Sequence, residues 1–158
     1  MGTPWKELLA DRLPELGHRN WIGIVDSAYP LQTAPGIEMV WTGADHFEVL
    51  ASVTQAVAAA PHVRGIYHLD AELARLPASH APAAFAFRER LSTHLEGEEM
   101  VALPHEDLIA KLDAAGKLFH ILLLKSSLTL PYTSVFLQLE CGYWSAEAER
   151  VLRAVSSS

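Results

Sequence analysis

Two short apolar segments constrain the fold of this chain more than any other feature. Residues 21–27 (WIGIVDS) and 118–124 (LFHILLL) are nearly continuous in apolar side chains. A strand with one solvent-facing side alternates apolar and polar residues, whereas a continuous apolar run is typical of a strand that is covered on both faces. Such strands belong to sheets that carry helices on both sides. The sequence therefore predicts an α/β fold.

Further strands and helices alternate along the rest of the chain. Four more strands are predicted over residues 37–41, 63–69, 99–104 and 134–140. Helices are predicted over residues 4–16, 45–59, 82–97, 105–116 and 145–155. Asp45 and Glu48 form the D-x-x-E pattern of a capping box at the second helix. With no repeat or linker, we expect one α/β sandwich domain over residues 1–158, with a C-terminal helical extension from about residue 145.

Charge and composition exclude several classes of function. The chain has 19 acidic and 12 basic residues, a formal net charge of −7, so it lacks the basic field that binds a phosphate backbone. It begins without a leader pattern and has no run of the ~20 apolar residues that a membrane span needs. We expect a cytoplasmic protein with no nucleic-acid and no membrane partner. The mean hydropathy of +0.14 is high and favours a homo-oligomer that buries apolar surface between subunits.

Common catalytic and metal-binding signatures are absent from the sequence. There is no G-x-G-x-x-G, P-loop, G-x-S-x-G, H-E-x-x-H or paired-cysteine zinc pattern. Cys141 is the single cysteine and follows an apolar strand, which favours an inert buried thiol over a nucleophile. His62 and His68 are six residues apart, but no third ligand accompanies them. We therefore predict no metal site.

Polar residues at the ends of predicted elements are the candidates for chemistry. Asp26 ends the first strand, and the carboxyl ends of strands in open α/β sheets are where ligands bind, although it could instead cap a turn. His105 begins a helix directly after a strand, where the positive helix end favours the neutral imidazole needed for acid–base chemistry; a surface histidine fits equally well. Tyr132 lies in the loop before the last strand, where its hydroxyl could reach a pocket or satisfy a backbone group.

Several segments together resemble one enzyme family. ELGHRNWIGIVDSAYP resembles the opening signature of the D-ribose pyranase and L-fucose mutarotase (RbsD/FucU) family, a Leu-Gly-His stretch, a hydrophobic strand, an aspartate, a small residue and a proline. These positions are Leu16, Gly17, His18, Asp26, Ala28 and Pro30. IEMV, ERLSTHLEG, PHEDL and PYTSVFLQLECG are similar to later family segments and occur in the same order.

The resemblance implies a fold and an activity. The fold would be a mixed sheet of about six strands flanked by helices. The activity would be the interconversion of anomers, or of pyranose and furanose forms, of a monosaccharide such as ribose or fucose without metal or cofactor. It also implies a decamer or similar homo-oligomer with sites at subunit contacts. Catalytic positions would be His18, oriented by Asp26, and His105. Substrate-binding positions would be Tyr132, Ser134 and Lys111.

The sequence departs from the family pattern at four points, one of which is a longer segment between His105 and Tyr132. Ser134 stands where the family has an asparagine, and Ile109 stands where a basic residue is expected, with Lys111 nearby. The chain also extends beyond Glu140, after which a typical member soon ends. These departures predict altered specificity or, as an alternative function, a catalytically silent sugar-binding or regulatory relative. A purely structural oligomer is a third interpretation.

Overall fold

A computed structural model of the chain describes residues 3–156. Over these residues the strands are β1 Trp21–Val25, β2 Ile37–Trp41, β3 Val63–Asp70, β4 Met100–Leu103, β5 Ile121–Lys125 and β6 Val135–Cys141. The helices are α1 Pro4–Arg12, α2 His46–Ala59, α3 Ala84–His94, α4 His105–Gly116 and α5 Ala146–Ser156. Short 3₁₀ turns cover Leu13–Glu15 and Ala71–Arg75. Every predicted strand and helix is present, with shifted ends.

The end of α1 and the start of α2 show how single residues set the bounds of a helix. The first helix tightens into the turn Leu13–Glu15 because Pro14 has no backbone N–H to continue an α-helix. The Asp45 side chain accepts a hydrogen bond from the backbone N–H of Phe47. The Glu48 carboxylate instead lies 3.3 Å from Lys6 Nζ and pairs with it. The predicted capping box is therefore wrong in its second half, since Glu48 ties α2 to α1.

The strand order of the sheet is β2-β5-β1-β6-β3-β4. Strands β2, β5 and β1 are parallel to one another, as are β3 and β4. Strand β6 lies between β1 and β3 and is antiparallel to both. Because β6 runs against the other described strands, its first residues lie at the edge of the sheet where the others end. We call this edge the carboxyl edge and the opposite one the amino edge.

Helices cover both faces of the sheet. One face packs against α1, α2 and α3, through side chains such as Trp5, Leu50 and Leu91. The other face packs against α4, through Leu108 and Leu112. The two hydrophobic cores explain why the central strands are apolar on both sides.

Strand β1 shows this arrangement directly. All five of its residues are buried. Ile22 and Ile24 belong to the core under α1–α3, whereas Trp21 and Val25 belong to the core under α4. The continuous apolar run therefore serves both cores, as the sequence predicts.

Helix α5 lies outside both cores. None of its residues with described side chains is buried, and Val151 is among its exposed apolar side chains. It coincides with the extension predicted from about residue 145. Within residues 3–156, no helix combines the length and the apolar character that crossing a bilayer requires.

Candidate functional site

Side chains from both halves of the sheet meet at the carboxyl edge. Asp26 follows β1, Asp70 ends β3, and His105 begins α4, separated from β4 by the single residue Pro104. Tyr132 precedes β6 and reaches the same edge because β6 is antiparallel. An open pocket of about 400 Å³ lies here, lined by Asp26, His105 and Tyr132 among others. This volume is in the range of roughly 300–1,000 Å³ that is usual for small-molecule sites.

A buried carboxylate holds the ring of His105. The Nδ1 atom of His105 lies 3.0 Å from Oδ1 of Asp70, whose side chain is 1% exposed. A carboxylate can only accept, so Nδ1–H donates, and a neutral His105 then carries its lone pair on Nε2. Burial raises the pKa of Asp70, and the hydrogen bond from His105 partly opposes that rise. The second oxygen, Oδ2, is buried and has no hydrogen-bond partner among the described residues.

A second carboxylate holds the backbone of His105. Both oxygens of Glu72 accept from the His105 N–H, at 3.0 and 3.1 Å. The residue before the helix is Pro104, whose side chain cannot cap, so Glu72 supplies the cap from the Ala71–Arg75 turn. A negative charge is stabilising at the positive end of a helix. His105 is thus fixed at its ring and at its backbone by two acids on one short segment.

Tyr132 completes the pocket beside His105. Its ring meets that of His105 edge to face, with centroids 5.6 Å apart and planes at 85°. Its backbone has φ of 59°, a left-handed conformation that is uncommon for a tyrosine and marks functional segments when the surroundings enforce it. The residue is 38% exposed and lines the pocket.

The architecture matches solved structures of sugar-binding proteins. RbsD of Bacillus subtilis, solved with D-ribose, has a TM-score of 0.59 at 19% identity, covering 84% of this chain and 91% of that one. The fucose mutarotase of Streptococcus pneumoniae, solved with L-fucose, gives 0.55 at 16% identity over 84% and 90%. FucU of Bifidobacterium longum gives 0.55 at 14% identity over 85% and 94%. The chain has the RbsD/FucU fold. No protein-family model matches the sequence, and no curated protein matches it significantly.

The RbsD/FucU fold separates two residues that the sequence analysis paired. His18 lies before β1 with its side chain 54% exposed, and its Nδ1 contacts the carboxylate of Glu140 at the amino edge. Asp26 lies beyond the other end of β1, whose five residues span about 16 Å at ~3.3 Å per residue. The predicted orientation of His18 by Asp26 is therefore wrong within one chain. Since the two residues flank a single strand, they emerge at opposite edges of the sheet.

Two further predicted positions lie outside the lining of this pocket. Ser134 is buried, 4% exposed, immediately before β6. Lys111 is exposed on α4, two residues beyond Ile109, which does line the pocket. The RbsD/FucU fold therefore brings together Asp26, His105 and Tyr132 from the predicted set. It adds Asp70 and Glu72, which the sequence analysis did not single out although Asp70 ends a strand as Asp26 does.

A buried histidine supports the loop that carries Tyr132. His46, 1% exposed, has Nε2 at 2.9 Å from the Thr133 carbonyl oxygen and Nδ1 at 2.7 Å from Ser126 Oγ. A carbonyl only accepts, so Nε2–H donates to Thr133 and the Ser126 hydroxyl donates to Nδ1. Burial lowers the pKa of His46 to about 4. Neutral His46 therefore joins both ends of the loop, residues 126–134.

We expect this histidine to make the fold sensitive to acid. Unfolded His46 titrates near 6.5 and folded His46 near 4, so the stability that neutral His46 contributes is fully present above pH 6.5 and is lost progressively as the pH falls from 6.5 through 4. The shift corresponds to about 3 kcal/mol. Urea unfolding at pH values from 7 to 4 measures this loss of stability. In His46→Gln the free energy of unfolding should depend less on pH. The exposed-site change His80→Gln should leave the pH dependence unaltered; parallel profiles for wild type and His46→Gln would contradict this assignment.

Proposed function

We propose that this pocket binds a monosaccharide such as ribose or fucose and that the protein interconverts its anomers or its pyranose and furanose forms. The observation that carries the proposal is an imidazole fixed through Nδ1 by buried Asp70, facing a pocket that also holds Asp26 and Tyr132. Solved structures with this fold contain D-ribose and L-fucose, which supports a sugar as the ligand.

The proposed reaction is acid–base opening of the cyclic hemiacetal. His105 Nε2 removes the proton of the anomeric hydroxyl, the bond from C1 to the ring oxygen breaks, and the Tyr132 hydroxyl donates a proton to the ring oxygen. In this proposal Asp26 accepts hydrogen bonds from the sugar hydroxyls. Closure on the other face of the carbonyl gives the other anomer, and closure through another hydroxyl changes the ring size. On closure the attacking hydroxyl returns a proton to Tyr132 and His105 gives its proton to the former carbonyl oxygen, so no cofactor is consumed.

The predicted catalytic role of His18 requires a second copy of the chain. Within its own subunit His18 lies at the amino edge, beside a separate cleft of about 940 Å³. We propose that it joins a sugar site only in the predicted homo-oligomer, across a contact between subunits. Within a single subunit, the proposed sugar site depends on His105, Asp70 and Asp26.

Exchange NMR tests the proposed activity. Saturation of one anomeric proton of ribose, fucose, galactose or glucose should transfer to the other ring form faster with the protein at neutral pH. Asp26→Asn should slow the accelerated exchange by about 10–100-fold, because an amide cannot offer the same two acceptor oxygens to sugar hydroxyls. Asp11→Asn, the same change at an exposed position on α1, is the matched control. Unaltered exchange for every sugar tested would overturn the enzyme proposal.

A second candidate function is sugar binding without turnover. The observation that favours it is Ile109, which lines the pocket one helical turn after His105 and offers no proton-transfer group. This candidate predicts saturable line broadening of one sugar without faster exchange. The same NMR experiment therefore separates the two functions.

We also propose that the chain self-associates. Large apolar side chains are exposed on the single chain, among them Leu31, Trp41, Phe85 and Leu118. Burying such surface between copies would stabilise an oligomer. Light scattering after size exclusion should give a multiple of the 17.3 kDa chain mass, and a monomer at micromolar concentration would contradict the proposal. The cytoplasmic location stays a prediction.

A further inference from the structure

The pocket at the carboxyl edge has acidic side chains in its lining. Asp26 and Glu106 line it, and no lysine or arginine does so among the described residues. Lys125 ends β5 at the same edge, but its ammonium group donates to the Tyr29 carbonyl oxygen at 2.9 Å and lies outside the lining. The charge that a ligand meets here is therefore negative.

The start of α4 is also closed to anions. A helix N-terminus normally attracts phosphate, because its free N–H groups and its dipole favour negative charge. Here the first N–H of α4, that of His105, is already bonded to both oxygens of Glu72. Glu106 and Asp107 add two further acids to the first turn. The backbone N–H that could bind a sugar phosphate is thus already bonded to the carboxylate of Glu72.

A buried phenol on the pocket wall experiences the same negative surroundings. Tyr29 lines the pocket, and burial together with Asp113, Asp70 and Asp26 raises its pKa to about 12. These acids come from α4, β3 and the segment after β1. The potential is therefore a property of the whole pocket and not of one side chain.

We propose that this site, within the proposed sugar-binding function, selects its substrate by charge. It admits neutral sugars, binds protonated amino sugars most tightly and rejects sugars that carry a phosphate or a carboxylate. An ammonium group in the pocket gains from nearby carboxylates, whereas a phosphate loses its hydration and meets like charge. Ile109 leaves the negative charge of the pocket unopposed, since a basic residue at that position would face the same pocket.

Matched ligand series test the inference. For each neutral sugar whose exchange is accelerated, binding is compared with its 2-amino-2-deoxy, uronate and terminal phosphate derivatives, using galactose, glucose and ribose as parents. At low salt we expect roughly three- to fivefold tighter binding of the amino sugar and at least tenfold weaker binding of the phosphate. A phosphate that binds as well as its parent, or an amino sugar that binds more weakly, overturns the inference while the sugar-exchange function stands. If no sugar is bound or exchanged, the proposed function itself fails.

Two variants link the selectivity to named residues. Glu106→Gln should remove most of the preference for the amino sugar, and Ile109→Lys should raise the affinity for the phosphate by at least threefold. Glu89→Gln makes the same charge change at an exposed position on α3, a helix that packs on the opposite face of the sheet, and should leave the preference intact. Equal preferences in wild type, Glu106→Gln and Ile109→Lys would show that the pocket charge does not select the ligand.

Discussion

Replacing His105 by glutamine should abolish accelerated sugar exchange while leaving sugar binding in place. Glutamine can hydrogen-bond to a sugar, but it cannot take up a proton near neutral pH as an imidazole does. A positioned general base contributes about 10²–10⁴-fold, so the exchange rate above the spontaneous background should fall by that factor. Exchange NMR measures the rate, and line broadening or calorimetry measures the retained affinity.

The matched control for this change is His80→Gln. His80 is exposed in the connection between the Ala71–Arg75 turn and α3, away from the pocket lining. Its replacement removes one imidazole without touching the site, so exchange should continue at the wild-type rate. If His105→Gln retained the wild-type rate, the proton transfer would belong to another group and the proposed mechanism would be wrong.

Asp70→Asn should be nearly as damaging to exchange, without destabilising the protein. The asparagine amide can donate to Nδ1 of His105, which moves the imidazole proton to Nε2 and removes the lone pair from the pocket. We expect a loss on the order of 10²-fold in turnover with little change in the substrate concentration needed for half-saturation. Stability should hold or rise, because a neutral amide replaces a buried carboxylate whose Oδ2 has no described partner.

The combination of those two results distinguishes positioning from structural support. If Asp70 only supported the structure, Asp70→Asn would lower the stability and the exchange activity of the protein together. The midpoint of urea unfolding is therefore measured beside the exchange rate. Asp11→Asn on α1 should leave both unaltered. An active Asp70→Asn protein would show that the tautomer of His105 is set by something other than this carboxylate.

The α/β architecture could be predicted because its signals are local. The apolar runs in β1 and β5 reflect burial on both faces, and periodicity with end signals located the helices. His105 was found because it begins a helix directly after a strand, and Asp26 because ligands bind where the strands of an open α/β sheet end. Asp70 obeys the same rule, but the predicted strand stopped at residue 69, so the acid at its end was overlooked.

Other parts of the site depend on contacts that sequence patterns do not encode. His46 contacts residues 80 and 87 positions later in the chain, and nothing around residue 46 indicates those partners. The direction of β6 cannot be predicted either, because an apolar strand has the same sequence pattern whether it runs parallel or antiparallel to its neighbours. That direction places Tyr132 beside His105. His18 was paired with Asp26 on the family resemblance, although the strand predicted between them places the two residues at its opposite ends.

The central position of β6 affects when the sheet can form during protein synthesis. Strands β2, β5 and β1 form one hydrogen-bonded group and β3 with β4 another, and β6 joins the two. On a ribosome, residues 135–141 emerge after every other strand has been synthesised. Until then Asp26 and the Asp70–His105 pair belong to separate fragments with exposed strand edges, where aggregation can begin. When β6 pairs with β1 and β3, the nascent chain therefore forms its pocket and covers the unpaired sides of these two strands in the same late folding step.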